Sequence, residues 1–176
     1  QQGLGGSGIA TFSDRARDAV RGGGCCDKGE ALVARQGWIN GQHYAPNARA
    51  QASRADLLLS ADRVRVCLSG SLLSFELETD DGEVKSLSLI DYYGQPAGDA
   101  EQPGEVVNYV ENHDNATLFD LNAFRLPRDT AAHDRTRVHE LGMAFTAFGQ
   151  GVAYFHAGID TLRTTSQARN LCLINI

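Results

Sequence analysis

The amino-acid sequence predicts an α/β fold built on parallel strands. Two nearly continuous apolar runs, at residues 106–110 and 152–157, are typical of strands that are buried on both faces. A helical pattern over about residues 130–148 lies between them, and a strand–helix–strand unit pairs its two strands in parallel. The length of 176 residues is that of one domain or of part of one.

The composition narrows the class of protein. Hydrophobic residues make up 42% and charged residues 22%, which is typical of a globular chain and excludes a disordered acidic tail. No window approaches the ~18 consecutive apolar residues of a membrane span, so we expect no membrane partner. The net charge of −6 offers no general attraction for a phosphate backbone, and we therefore expect no nucleic-acid partner.

The first half of the chain is rich in glycine. We predict a short strand at 9–12, then a helix at 14–21 that Ser13 caps and that a glycine run ends. Residues 22–47 are predicted to be a long loop, which in a compact domain is usually functional or mobile. Ser53 is predicted to cap a helix over 53–69.

Two further segments precede the first apolar run. Residues 75–90 alternate around Asp81-Gly82, a pair that favours a tight hairpin turn, so we predict a small exposed hairpin. Residues 92–96 are predicted to be a loop.

Polar residues follow each apolar run, where sites collect in barrels and in open parallel sheets. His113, Asp114 and Asn115 follow the first run, and His156 with Asp160 follows the second. An aspartate there can accept hydrogen bonds from hydroxyl groups, or stabilise positive charge in a transition state. From spacing alone, a loop or capping role is the more common one for such residues.

The cysteines and histidines do not predict a metal site. The four cysteines lie at 25, 26, 67 and 172, without a C-x-x-C pair, whereas zinc sites use ligands separated by a turn. His133 and His139 are six residues apart and do not share a helix face. We therefore predict no metal ligands and no cofactor, and the redox compartment stays open.

Four segments resemble one enzyme family. Residues 107–120 resemble the stretch VNYVxxHDNxTLxD of the pullulanase and limit-dextrinase group, starch-debranching enzymes of the α-amylase superfamily (glycoside hydrolase family 13). Residues 8–23 resemble that group's GIGTFxDRxRDAVRGG, and 150–158 its QGxxFFHAG. Residues 162–166 resemble LRSKS with two changes. The resemblance runs in order over roughly 5–170.

The resemblance implies a fold and an activity. The family fold is a (β/α)8 TIM barrel, and the chain would supply about strands 6 to 8, with a small β-hairpin insertion. Residues 1–170 would form the C-terminal portion of a glycosidase catalytic barrel. The family hydrolyses α-1,6 bonds of pullulan, limit dextrins, starch or glycogen with retention of configuration. The partner would be an α-glucan polysaccharide or oligosaccharide, and calcium is suggested by resemblance only.

The resemblance also implies roles for site residues. Asp114 would be the third catalytic carboxylate, His113 would bind the same sugar, and Asn115 would help to hold the substrate loop. The family nucleophile, in an Arg-x-Asp motif on the fourth strand, has no counterpart, and neither Glu105 nor Glu111 matches the acid/base glutamate. We therefore expect the isolated chain to be inactive.

Both ends of the sequence shape this interpretation. The chain opens with Gln1 rather than Met and without a signal sequence, so we expect a piece of a longer protein. Residues 171–176 depart from the family pattern, and we expect an aberrant tail from a frame or splicing change. Ala153 and Asp160 stand where the family often has Pro and Glu.

Other interpretations stay open. The chain could be a non-catalytic α-glucan-binding or scaffold protein derived from the barrel, or belong to a superfamily hydrolase of other linkage specificity. Arg15, Arg17 and Asp18 are expected to form ion pairs or to line the cleft. Four aromatic residues are expected to pack or to stack on sugars: Trp38, Tyr44, Tyr92 and Tyr93.

Overall fold

A computed structural model of the chain describes residues 4–165. The strands are β1 (Thr11–Phe12), β2 (Glu76–Glu78), β3 (Val84–Ser86), β4 (Asp91–Tyr92), β5 (Gln95–Pro96), β6 (Val106–Asn108) and β7 (Val152–Ala153). The helices are α1 (Asp14–Arg21), α2 (Glu30–Ala34), α3 (Arg54–Leu68), α4 (Leu118–Arg125) and α5 (Ala132–Phe148). The predicted tail at 171–176 lies outside the described residues. None of the described helices is long and apolar enough to cross a membrane.

The central sheet is parallel, with strand order β1-β6-β7. Phe12 lies opposite Val107 on one side of β6, and Val152 lies opposite Val107 on the other. This arrangement confirms the α/β class and the parallel strand–helix–strand unit. The strands are shorter than predicted, because backbone pairing stops at Asn108 and Ala153 although the apolar runs continue. Three paired strands form a small mixed α/β domain and do not by themselves show a closed barrel.

The main core lies between the helices and the sheet. Its buried members come from α1, the segment between α2 and α3, α3, the start of α4 and the segments that follow β6 and β7: Ala19, Val20, Ile39, Val64, Val110, Leu118 and Ile159. Val138 and Phe145 of α5 pack against this cluster. Leu141 and Phe148 of the same helix are exposed, so only part of the apolar surface of α5 is buried.

The predicted loop at 22–47 contains a short helix and is held by buried amide groups. α2 lies within it, and Gln36 donates through Nε2 to the carbonyl oxygens of Asn40 (2.7 Å) and Arg125 (2.9 Å). The loop then returns along α1, where the Trp38 N–H donates to the Ala19 carbonyl at 3.0 Å. Side-chain hydrogen bonds therefore order a segment that lacks an apolar pattern.

Of the two predicted helix caps, the one at Ser53 forms and the one at Ser13 does not. Ser53 caps α3 through a complete capping box with Asp56, in which each side chain accepts a bond from the other's backbone N–H. Ser13 precedes α1, but its side chain makes no capping bond and its buried hydroxyl has no partner among the described residues. α1 nevertheless ends as predicted, at Gly22, whose φ of 84° suits glycine.

Two hairpins follow α3. β2 and β3 pair around Asp81-Gly82 as predicted, with Glu76 opposite Ser86. Residues Leu87–Leu89 form a 3₁₀ turn rather than more strand, and Leu87 is buried in a small second core. The predicted loop at 92–96 is instead the β4–β5 hairpin. Tyr93 and Gly94 form its two-residue turn, with φ angles of 50° and 81°.

Helix α4 was not predicted. Thr117 caps this helix by accepting a bond from the Asp120 N–H. Several polar side chains of the helix are buried. Asp120, Asn122 and Arg125 are all buried, so the apolar periodicity that marks an amphipathic helix is missing. Helix α5 begins two residues later than predicted and ends at Phe148 as predicted.

We expect Gly37→Ala to destabilise the protein by about 3 kcal/mol or more, measured by thermal denaturation. A Cβ atom at Gly37 would lie 2.1 Å from the backbone nitrogen of Gly22 and 2.4 Å from the carbonyl carbon of Arg21, and backbone atoms cannot move aside cheaply. The matched control is Gly104→Ala, because a Cβ there meets nothing within 4 Å. Equal melting of the two variants would contradict this packing.

Candidate functional site

The predicted site residues lie together in a cleft at the carboxyl ends of the three parallel strands. This first cleft has a volume of about 730 Å³. Its lining residues are Thr11, Phe12, Asp14, Arg17, Cys25, Cys26, Tyr109, Asn112, His113, Asp114, Asn115 and Tyr154. They come from the ends of β1, β6 and β7, from helix α1 and from the loops after α1 and β6. A cleft at this edge of a parallel sheet is the usual place for a binding site.

Asp114 is oriented by its neighbours but stays open to the cleft. His113 Nε2 lies 3.0 Å from Asp114 Oδ1, and Asn112 Nδ2 donates to Oδ2 at 3.3 Å. The Asp114 N–H donates to Asn112 Oδ1 at 3.1 Å, which holds the backbone of the loop. The Asp114 side chain is 64% exposed. Its carboxylate can therefore accept further hydrogen bonds from a ligand.

Three aromatic rings line the first cleft beside this loop. Phe12 contacts Tyr109 and Tyr154 edge to face, with centroid distances of 4.9 and 5.2 Å. The strands bring these rings together, because each ring lies at or just after the end of β1, β6 or β7. Such a cluster offers apolar faces next to the Asp114 carboxylate, and this combination suits ligands with both apolar and polar surfaces.

A buried charge network holds the wall of this cleft. Arg17 pairs with Asp18 through Nε and with Asp14 through Nη1, both at 2.8 Å. The same Nη1 donates to the Tyr109 hydroxyl, which in turn donates to Asp14 at 2.6 Å. Arg17 and Asp18 thus form ion pairs, as one of the two interpretations predicted, and Arg17 also lines the cleft.

Burial and charge set the protonation of this network. Burial acts to lower the pKa of Arg17, but Asp18, followed by Tyr109 and Asp14, raises it above its usual value. Burial also raises the pKa of Tyr109, aided by its hydrogen bond to Asp14. At neutral pH the guanidinium is therefore charged and the phenol is a neutral donor. Arg15 forms a separate ion pair, in which its Nη1 lies 3.1 Å from Asp99 Oδ2.

Glu111 is the buried group that supports the Asp114 loop, which is the segment 112–117 between Glu111 and α4. Its side chain is fully buried, and Oε2 accepts a bond from the Leu118 N–H at 2.7 Å. Oε1 lies 2.7 Å from Arg163 Nη2 and 3.2 Å from His156 Nδ1. One carboxylate thus joins the loop after β6, the start of α4 and the segment after β7. Such a group is stable inside a protein only when its bonds are satisfied.

Sequence reasoning missed this role for Glu111. A carboxylate directly after an apolar run signals a buried charge that needs a partner, but the sequence does not indicate Arg163 as that partner. His156 and Asp160 both follow β7, as predicted, but their surroundings differ. His156 contacts Glu111 and Arg163, whereas Asp160 lies exposed in the turn Ile159–Thr161.

Asp120 ties the same two segments together at a second place. Its Oδ2 accepts bonds from the Thr165 N–H and hydroxyl, both at 3.0 Å, and its Oδ1 accepts one from the Thr164 hydroxyl. Burial alone would raise the pKa of Asp120, but these hydrogen bonds lower it below its usual value. Two buried carboxylates therefore fix the segment after β7 against the loop after β6.

The other aromatic candidates lie outside the first cleft. Trp38 packs edge to face on Phe145, with a centroid distance of 5.6 Å, and the Tyr44 hydroxyl donates to the Trp38 carbonyl. Tyr92 and Tyr93 lie beside Arg63, whose guanidinium carbon is 4.8 Å from the Tyr93 ring centroid. Trp38 is thus a packing residue, whereas Tyr93 is exposed.

No metal centre is formed within residues 4–165. This part of the chain holds no group of three or more His, Cys, Asp or Glu side chains that could bind an ion. Cys25, Cys26 and Cys67 are free thiols in it. Burial raises the pKa of Cys67 to about 12, so this thiol is protonated and unreactive at neutral pH.

The chain is similar to known pullulanases. It is 42% identical over 167 residues to a pullulanase of Klebsiella aerogenes, a match that covers 95% of the chain and 15% of that protein. It is 36% identical over 172 residues to the chloroplastic pullulanase 1 of Arabidopsis thaliana. That match covers 95% of the chain and 17% of the plant protein. No family model matches.

A solved structure shows the same similarity. The pullulanase of Klebsiella pneumoniae, crystallised with maltotriose, superposes with a TM-score of 0.93 and 42% identity, over 95% of this chain and 16% of that one. The chain thus spans about a sixth of the length of these relatives. The resemblance of the sequence motifs to the pullulanase group is confirmed.

We expect Glu111→Gln to loosen the Asp114 loop, because a neutral amide leaves Arg163 partly uncompensated. Breaking a buried ion pair costs about 3 kcal/mol or more, so the protection of amides 112–118 should fall roughly 100-fold in hydrogen–deuterium exchange. The control is Asp134→Asn, whose partner His133 is also exposed, and which should change exchange little. Unchanged protection in Glu111→Gln would show that the ion pair does not hold the loop.

Proposed function

We propose that this chain, a relative of the pullulanases over 95% of its length, is part of a hydrolase that cleaves α-1,6-glucosidic bonds. The substrates would be branched or α-1,6-linked glucans such as pullulan, limit dextrins, starch or glycogen. The observation that carries the proposal is the first cleft, in which the motif residues Asp114 and His113 face aromatic rings at the strand ends. The maltotriose bound by the Klebsiella pneumoniae relative supports an α-glucan ligand.

We propose that residues 1–170 form strands 6 to 8, with their helices, of a (β/α)8 barrel. Three adjacent parallel strands, with helices α4 and α5 between β6 and β7, are consistent with this arrangement. Phe12, Val152 and Phe155 are exposed at or near the strands, as apolar residues would be where further strands pack against them. The small hairpins between α3 and β6 are the insertion.

Asp114 would act on the transition state of a retaining mechanism. Retention uses a nucleophilic carboxylate and an acid/base about 5 Å apart, and the transition state resembles an oxocarbenium ion. A third carboxylate at the strand end would accept hydrogen bonds from the sugar hydroxyls and stabilise the developing positive charge. His113 would donate to the same sugar, and Asn115, half-buried in the loop, would support it.

The nucleophile and the acid/base would come from residues outside this sequence. This separates the proposal from its alternatives. A non-catalytic α-glucan-binding or scaffold protein would lack both carboxylates in its complete form, whereas a hydrolase of other linkage specificity would have them and prefer amylose to pullulan. The identity to proteins named pullulanases favours the debranching activity.

We expect residues 1–176 alone to release no reducing sugar from pullulan. Cleavage with retention needs both carboxylates, and removing catalytic carboxylates costs several orders of magnitude in rate. The measurement is reducing-sugar release by the purified chain, with the complete protein as the control. Turnover equal to that of the complete protein would refute the assignment.

We also expect the isolated chain to melt broadly and to bind hydrophobic dyes. Among residues 4–165, the two outer strands of the sheet have one unpaired edge each, and apolar side chains beside them are exposed. Calorimetry of the purified chain measures the breadth of the melting transition. A sharp transition in a monodisperse monomer would instead show a self-sufficient domain.

In the complete protein, Asp114→Asn should lower kcat for pullulan by roughly 10³-fold, about 4 kcal/mol of transition-state stabilisation, with a much smaller change in KM. The amide keeps the shape of the side chain and removes its charge. The matched control is Asp160→Asn, because Asp160 is exposed outside the first cleft, and it should cost far less. A folded Asp114 variant that keeps more than about a tenth of the wild-type kcat would remove Asp114 from the mechanism.

A further inference from the structure

A second cleft is lined by Asp18 of helix α1, the residue that follows Arg17 of the first cleft. Its volume is about 790 Å³, within the range of ligand sites. The residues that define it here are Asp18, Gln42, Ser60, Arg63, Tyr92 and Tyr93. Asp18 connects the two clefts, because it pairs with Arg17 of the first and accepts a 2.8 Å hydrogen bond from the Tyr92 hydroxyl of the second.

The second cleft contains a buried acceptor without a partner. Gln42 is only 8% exposed, and its Oε1 has no hydrogen-bond partner among residues 4–165. A buried amide oxygen in this state costs the protein about 1–3 kcal/mol, so it needs an explanation. Oε1 itself is closed to solvent, so a ligand hydroxyl would supply the missing bond once the amide turns toward the cleft.

Tyr93 provides an exposed ring in an unusual position. Its side chain is 67% exposed, and it stands in the two-residue turn of the β4–β5 hairpin with a φ of 50°. Asn or Gly is normally found at such a position, because a bulky residue is strained there. Arg63 holds one side of the ring from 4.8 Å and is itself fixed by the Asp91 carbonyl at 2.7 Å. The ring is thus a rigid platform kept at the expense of turn stability.

The charges of the cleft favour a neutral ligand. Three carboxylates and three guanidinium groups line it: Asp18, Glu30, Asp56, Arg35, Arg49 and Arg63. These charges are matched within the protein, as in the pairs of Glu30 with Arg49 at 3.0 Å and of Arg35 with Asp27 at 2.7 Å. An anion would find no uncompensated positive field, whereas hydroxyl groups can bond to the planar polar groups while a sugar face rests on Tyr93.

We propose that the second cleft is a carbohydrate-binding site, separate from the Asp114 cleft, that holds an α-glucan chain on Tyr93 with a sugar hydroxyl on Gln42. The choice of an α-glucan rests on the proposed function, while the polyhydroxylated, uncharged character of the ligand follows from the cleft itself. The site would keep a polymer attached beside the cleft where the bond is cleaved.

The test uses two variants that should fold at least as well as the parent. Tyr93→Asn puts a favoured residue into the turn, and Gln42→Met removes the unpaired oxygen in a side chain of similar shape, so neither should lower the melting temperature. The matched control is Phe148→Ala, an aromatic residue that is 81% exposed on α5 and lies outside both clefts.

Binding is measured by calorimetric titration of maltohexaose into the complete protein carrying Asp114→Asn, which should slow hydrolysis roughly 10³-fold. We expect two classes of site, of which Tyr93→Asn and Gln42→Met each weaken one by at least tenfold, while Phe148→Ala changes neither. Unchanged isotherms for both variants, or binding of inorganic phosphate that both variants abolish, would overturn the proposal. Pullulan hydrolysis is assayed separately without Asp114→Asn, so a failure of the proposed function is distinguished from a failure of this site.

Discussion

The buried carboxylate of Glu111 is the interaction on which the geometry of the first cleft depends. It accepts a bond from the Leu118 N–H and lies between Arg163 and His156, so that three segments distant in sequence meet at one group. Removing a charge from water is costly, and the cost is offset only when every partner is in place. The Asp114 loop, which begins directly after Glu111, is therefore held from beneath.

The charged residues of the structure divide into buried and exposed groups with different consequences. Glu111, Asp120 and Arg17 are buried, have hydrogen-bond or ion-pair partners within the protein and determine the shape of the site. Asp114 and His113 are exposed and contact mainly each other, so their remaining hydrogen-bonding capacity faces the cleft. A preorganised support with an open reactive group is the arrangement expected where transition-state charge is stabilised.

Helix α1 connects the two clefts physically. Its Arg17 contacts Tyr109 in the wall of the first, and the neighbouring Asp18 contacts Tyr92 in the second. Because both residues are buried in one short helix, a ligand in either cleft rests on the same rigid element. Under the two proposals above, both clefts would bind the same class of ligand, an α-glucan.

The sequence by itself determined the α/β class, helices α3 and α5, the Asp81-Gly82 hairpin and the cluster at 113–115. These features depend on periodicity, capping residues or neighbouring positions, which are local properties of the chain. Tertiary structure decided the rest. Helix α4 is hidden in the sequence because buried polar residues replace its apolar face, and Arg163 reaches Glu111 across 52 positions. Such contacts exist only once the strands have brought both segments together, since no local pattern specifies which distant charge will satisfy a buried one.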